Sequence, residues 1–135
     1  MSVPRHRLKS ALHKLMPQQR FNSFAEFWPF YVAEHSKPGT RLLHLLGTTT
    51  GLAWAAYSVA TGRWWLFALG LIPGYGCAWI AHFFIEKNKP ATFRHPLWSF
   101  MGDYKMIAMM IVGKMEGEVE RAKLATSSSE ETPVT

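Results

Sequence analysis

The sequence predicts an all-α protein: a small helical membrane protein built on a central transmembrane helical hairpin, with amphipathic or interfacial helices flanking it. Three observations carry this. Aromatic residues are abundant, with six Trp and nine Phe, and the apolar residues lie in blocks. Two blocks, residues 42–62 and 64–85, hold no charged side chain and are separated only by Arg63. At 1.5 Å per residue each is about 30 Å long as a helix, the thickness of a hydrocarbon core. A link that short allows only a tight antiparallel turn. The third observation is where the charge lies. Arg5, Arg7, Lys9, Lys14 and Arg20 crowd the first twenty residues with no acid among them, and most other basic residues border apolar blocks. Anionic headgroups and the positive-inside bias favour that distribution.

The +6 formal net charge therefore points to a lipid bilayer, and not to nucleic acid, for which the chain offers neither a zinc-finger spacing nor an RNA-recognition signature. A lone cysteine, Cys77, excludes a disulfide framework and a thiolate metal cluster. The length fits one domain. Its expected organisation is a basic amphipathic segment at 1–20, a helical domain at 21–124 and a disordered tail at 125–135.

In order, residues 5–16 place Leu8, Ala11, Leu12 and Leu15 at helical spacing opposite a basic face, and Pro17 ends that helix. Ser23 followed by Glu26 fits a capping box, starting a second helix that runs to about His35. Ser36-Lys37-Pro38-Gly39-Thr40 reads as a turn before the hairpin. Within the hairpin, Thr48-Thr49-Thr50-Gly51 is polar for lipid and predicts a face packed on another helix. Gly70, Pro73, Gly74 and Gly76 predict a kinked second arm. Pro96 suits the first turn of one last helix, expected to run to about Leu124. Lys and Arg near Leu42 and beyond Glu86, with only Arg63 opposite, predict a multi-pass inner-membrane or endoplasmic-reticulum protein with cytoplasmic termini.

The histidines carry the chemistry. His44 lies nineteen residues before Arg63 and His82 nineteen after it, so an antiparallel pair brings both to one depth, near one membrane face. His82 and Glu86 are four apart, which on a helix puts them on one face. His35 and His44, nine apart, would face opposite ways on a straight helix, but the Pro38-Gly39 break lets His35 end one helix while His44 begins the next. Three imidazoles can then converge beside Glu86. Such nitrogen donors suit a first-row transition metal, iron or zinc alike by spacing alone, and polar groups in a membrane are costly unless they function. The bland alternative is histidines that only stabilise helix packing. His95, Asp103 and Glu34 are weaker candidates as ligands or as partners of ligands.

Two stretches, Phe30-Tyr31-x-x-x-His35-x-x-Pro38 through His44-x-x-Gly47-Thr48, and Trp79-x-x-His82-x-x-x-Glu86-Lys87-x-x-Pro90-Ala91, resemble the Mpo-like proteins, a family long filed as a domain of unknown function. The resemblance covers about residues 21–113. It implies Fe(II)-dependent, dioxygenase-type α-oxidation of 2-hydroxy fatty acids, with 2-hydroxy fatty acid and O2 as substrates and CO2 and an acid one carbon shorter as products. It also implies His35, His44 and His82 as iron ligands and Glu86 as a further ligand or a base, with no organic cofactor. Arg41, Lys87 or Lys89 would neutralise the substrate carboxylate at the interface. The competing readings are a non-enzymatic helical membrane protein with structural histidines and a zinc-dependent lipid hydrolase, which would consume no oxygen.

Overall fold

In the computed structural model, which describes residues 20–130, short turns join the helices, and the described residues form no strand. Helix α1 spans Phe24–Glu34, α2 Pro38–Thr61 and α3 Leu66–Ile80, the last continuing into a π-helical turn, Ala81–Glu86. A short 3-10 turn, Ala91–Phe93, leads to α4, Pro96–Ile111, and α5, Met115–Glu130. The basic helix expected over residues 5–16 lies outside the described residues, as does the tail beyond Glu130.

Local chemistry explains the boundaries. The Ser23 hydroxyl accepts the Glu26 backbone N–H at 3.3 Å, and the Glu26 carboxylate accepts that of Asn22 at 3.0 Å, so freed donors at the start of α1 are satisfied. Pro38 and Pro96 sit in the first turns of α2 and α4, where a missing N–H costs nothing.

α2 and α3 pack against each other along their length. They pack tightly at Gly47, where a Cβ would lie 2.9 Å from that of Cys77 and 3.0 Å from the Gly74 carbonyl oxygen, so only glycine fits. Nearer the turn, the Trp54 indole donates to the Leu66 carbonyl at 2.6 Å.

The hydrophobic core sits beside the hairpin. Phe27, Trp28, Tyr31 and Val32 of α1 pack with Met106 of α4 and with Met115, Val119 and Ala122 of α5. Each such large side chain contributes about 1.5–3 kcal/mol on full burial. The hairpin arms, by contrast, leave Leu42, Leu52, Val59, Phe67, Leu71 and Ile72 at least half exposed, and Trp64 and Trp65 at the turn are each 67% exposed. An apolar surface this extensive calls for lipid or a partner.

Three expectations change. The last helix is not continuous: the chain turns at Gly113, in the left-handed region at φ +70°, which glycine adopts without strain, and α5 sets off in a new direction. That turn folds α5 back onto α1. Helix α5 also runs to Glu130, where a tail disordered from residue 125 was expected. Finally, among the described residues only Leu66–Glu86 is long and apolar enough to cross a membrane. Helix α2 is long enough but diluted by Arg41, His44 and the threonine run, so the expected pair of spans becomes one by this measure. Only 17% of the most apolar 18-residue window of Leu66–Glu86 is buried within the protein, unlike the core helix of a soluble domain.

Candidate metal centre

His35 caps the C-terminus of α1, His44 lies in the second turn of α2, and His82 is in the π turn that prolongs α3. The three are 1, 5 and 2% exposed. Their ring centroids are 4.6 Å apart for His35–His44 and His35–His82 and 5.2 Å apart for His44–His82. One ring nitrogen of each lies within 4.8 Å of one from each of the others.

Each imidazole is held by its Nδ1. That of His35 donates to the Tyr31 carbonyl at 2.7 Å, one turn back on α1, while the Tyr31 and His35 rings stack at 3.9 Å. That of His44 donates to the Asp103 carboxylate at 3.0 Å, and that of His82 to Asn88 Oδ1 at 2.8 Å. The Asn88 orientation follows from its other bond, Nδ2 donating to the Glu34 carbonyl at 3.2 Å. All three partners are acceptors, so the proton sits on Nδ1 and the Nε2 lone pair is left free.

Two of those lone pairs have nowhere to go within the protein. Nε2 of His35 and of His44 are buried with no hydrogen-bond partner. A buried polar atom without a partner costs about 1–3 kcal/mol, and here it recurs at one point. Bonds of about 2.1 Å to a shared ion set nitrogen separations of about 3–3.5 Å, so from separations of up to 4.8 Å each ring would move inward by about 1 Å to close the site. The cavity there is about 10 Å³, bounded by the histidines with Tyr31, Ala78, Pro90, Ser99 and Asp103. A space of that size holds one water or one ion. The donor set and the orphaned nitrogens fit a metal ion.

Electrostatics agree with this geometry. Burial first, and then the neighbouring His44 and His82, hold the His35 imidazole well below its usual pKa, so it stays neutral and able to donate its lone pair. The Tyr31 phenol is pushed up by burial and by Asp103, to which its hydroxyl donates, and therefore remains protonated. Gly102 makes that contact possible, since a Cβ there would lie 2.8 Å from the Tyr31 ring.

The remaining predicted residues lie elsewhere. Glu86 does not join the histidines: its carboxylate accepts the Lys37 backbone N–H at 2.8 Å and so caps α2. Four residues are close to one turn of a π-helix as of an α-helix, so Glu86 stays on the His82 side, but the Lys37 backbone N–H at the start of α2 claims its carboxylate. Arg41 is buried and donates to the carbonyls of His35 at 3.1 Å and Ser36 at 2.7 Å and to Glu116, which ties the His35 turn to α5. Lys87 and Lys89 are exposed beside Phe83 and Phe84, outside the site. His95 stacks on Trp98 at 5.7 Å and meets Phe21 and Phe27 edge-on. Glu34 contributes its backbone carbonyl to Asn88, while its side chain is half-buried, with a pKa raised to about 7 by burial and by Glu86. Asp103 does reach the centre, as the partner of His44.

Sequence reasoning missed Asn88 and Ser99. Ser99 is 3% exposed, its hydroxyl is buried without a partner, and the residue lines the ion-sized cavity. Asn88, which bonds His82, follows Lys87, whose left-handed conformation at φ 59° ends the π turn in a bend that no spacing rule anticipates.

A larger apolar cavity of about 380 Å³ opens from His44 and Asp103 and continues along α2 and α3 past Gly51 and Gly70 to Ala55 and Phe67.

Residues 21–115 match the family model described as 2-hydroxy-palmitic acid dioxygenase Mpo1-like. No curated protein and no solved structure matches the chain.

Proposed function

The chain belongs to the Mpo1-like family, and from that membership we propose that it is an iron-dependent dioxygenase acting on 2-hydroxy fatty acids. The reaction consumes one 2-hydroxy acid and one O2 and yields CO2, water and the fatty acid one carbon shorter, with the bond between C1 and C2 broken. The observation that carries this reading is the convergence of His35, His44 and His82, each fixed through Nδ1, with the Nε2 atoms of His35 and His44 buried and unpartnered. Those three residues would hold the metal.

Iron held by His35, His44 and His82 would supply the redox chemistry that the reaction needs and that zinc lacks. The chain's own residues do the rest. Tyr31, Asp103 and Asn88 keep the imidazoles in one tautomer and one orientation. The aromatic wall of α1 excludes water from the His35 side. Ser99 Oγ, unpaired beside the site, is placed to hydrogen-bond a substrate oxygen. Glu86 and Arg41 act on position, fastening the turn that carries His35 to α2 and α5.

The same reading seats the hairpin in lipid. Its support is the apolar segment Leu66–Glu86, its low internal burial and the tryptophan pair at the turn, a residue type that favours the interface.

The test is direct. Purified protein is loaded anaerobically with Fe(II), given 2-hydroxypalmitic acid and then exposed to oxygen. The expected result is one O2 consumed per pentadecanoic acid formed, with His82→Ala inactive and depleted in iron. Metal-loaded wild type that consumes no oxygen, or a His82→Ala variant equal to it, overturns the assignment.

A further inference from the structure

Resting on that reading, we propose that the groove leading from His44 and Asp103 along the small-residue faces of α2 and α3 is the channel for the acyl tail. Its far end, between Ala55 and Phe67, sets the chain length accepted.

Two independent observations converge on the groove. The first is at its inner end, where His44, only 5% exposed, contributes to the lining and carries an unpartnered Nε2. The second is its floor. Gly47 and Gly70 are needed for helix packing, since a Cβ at either would meet atoms of the other arm at 2.9 to 3.0 Å. Gly74 is different: a Cβ there would meet only the Gly47 carbonyl, at 3.8 Å. Close approach of the helices therefore does not require glycine at 74. What the missing side chain provides is room in the groove, two turns before His82 and beside Gly47, which lies one turn after His44.

The dimensions suit one occupant. His44 and Ala55 are eleven residues apart on α2, about 16 Å at 1.5 Å per residue. An extended peptide covers about 3.6 Å in three bonds, so a hydrocarbon chain, at about 1.2 Å per bond, spans that distance in about thirteen bonds. With C1 and C2 at the metal centre, the groove accommodates an acid of about fifteen or sixteen carbons. The α4 side of the groove is aromatic and open, with Phe100 58% and Tyr104 40% exposed, so a water-insoluble tail can enter sideways from the bilayer.

Binding and turnover are measured separately to test this. Full-length protein in lipid nanodiscs, kept anaerobic, is titrated with saturated 2-hydroxy acids of increasing length by displacement of a fluorescent fatty acid. Affinity, corrected for partition of each acid into protein-free nanodiscs, should rise with each methylene the groove accommodates, by less than the about fourfold that transfer from water would give, and level off near sixteen carbons. Gly74→Leu should move the plateau to much shorter acids, and Phe67→Ala, at a half-exposed position where the fold is not at stake, should move it to longer ones. Metal content, measured on every variant, reports whether the histidine site survives. An unchanged plateau in both variants overturns the channel, even if the enzyme turns over. A plateau that moves as expected in protein that consumes no oxygen leaves the channel standing and sinks the dioxygenase reading instead.

Discussion

Asp103→Ala should weaken metal binding about 10- to 100-fold, through the loss of a side chain that need not touch the metal. In the structure the Asp103 carboxylate accepts two hydrogen bonds, one from the Tyr31 hydroxyl and one from His44 Nδ1 at 3.0 Å. Bonds to an ionised acceptor are worth about 1.5–3 kcal/mol each, and the buried donors left behind cost about 1–3 kcal/mol apiece. Not all of that bears on the metal. Without the carboxylate the His44 ring can rotate or move its proton to Nε2, and a partner that orients a metal-binding histidine typically accounts for 10- to 100-fold in affinity. The Asp103 side chain is 27% exposed, and water can replace part of what is lost, so the lower half of that range is expected. The assay is competition with a chelator of known affinity, using Co(II) so that the absorption spectrum reports the coordination. Asp103→Asn, which keeps an acceptor for His44, should lose less, and Tyr31→Phe less again. An Asp103→Ala protein whose Co(II) affinity and spectrum match wild type would refute the idea that this carboxylate orients the histidine.

Gly102→Ala should reproduce part of that defect from a residue that touches neither histidine: its Cβ would lie 2.8 Å from the Tyr31 ring, displacing the Tyr31 hydroxyl from Asp103. A loss of about 1–3 kcal/mol, the usual cost of overpacking, should appear in chemical denaturation together with weaker Co(II) binding, and unchanged values for both would show that α4 simply yields. The metal-free protein should also show opposed pH dependences. His35 has its pKa held below the unfolded value near 6.5, so the unfolded chain binds the extra proton and stability falls as pH drops below about 6.5, by about 1.4 kcal/mol per unit. Glu34, raised to about 7 by burial and by Glu86, has the opposite sign: the unfolded chain releases its proton first, and stability falls as pH rises from about 4.3 toward 7. The two offset each other in wild type, and Glu34→Gln should uncover the histidine slope. Denaturation midpoints taken at pH 5 and pH 6.5 in the presence of chelator measure it, and equal pH dependence in variant and wild type would remove Glu34 from the account.

The helical class was legible in the sequence because its signals are local: uncharged blocks, Ser23 with Glu26, and prolines at helix starts. The meeting of His44 and His82 was also legible, because two rigid arms of equal length joined at Arg63 leave their ends no other level. His35 joined them on the strength of Pro38-Gly39, a break visible in the chain. The roles of Glu86 and Arg41 were not legible. The four-residue spacing puts Glu86 under His82, but the backbone N–H of Lys37, forty-nine positions away, claims its carboxylate. Arg41 sits beside the cluster in sequence, yet the carbonyls freed at the end of α1 and Glu116 of α5 claim its guanidinium. Nor does anything in the order of residues pair His44 with Asp103, fifty-nine positions on, or expose Ser99 to the cavity. Periodicity and breaks act over a few residues, and the sequence by itself determined which side chains share a helix face and where the chain turns. Which acceptor each imidazole finds depends on how α4 and α5 lie against the hairpin, a matter of packing between segments remote in the chain, and only the tertiary structure decided it.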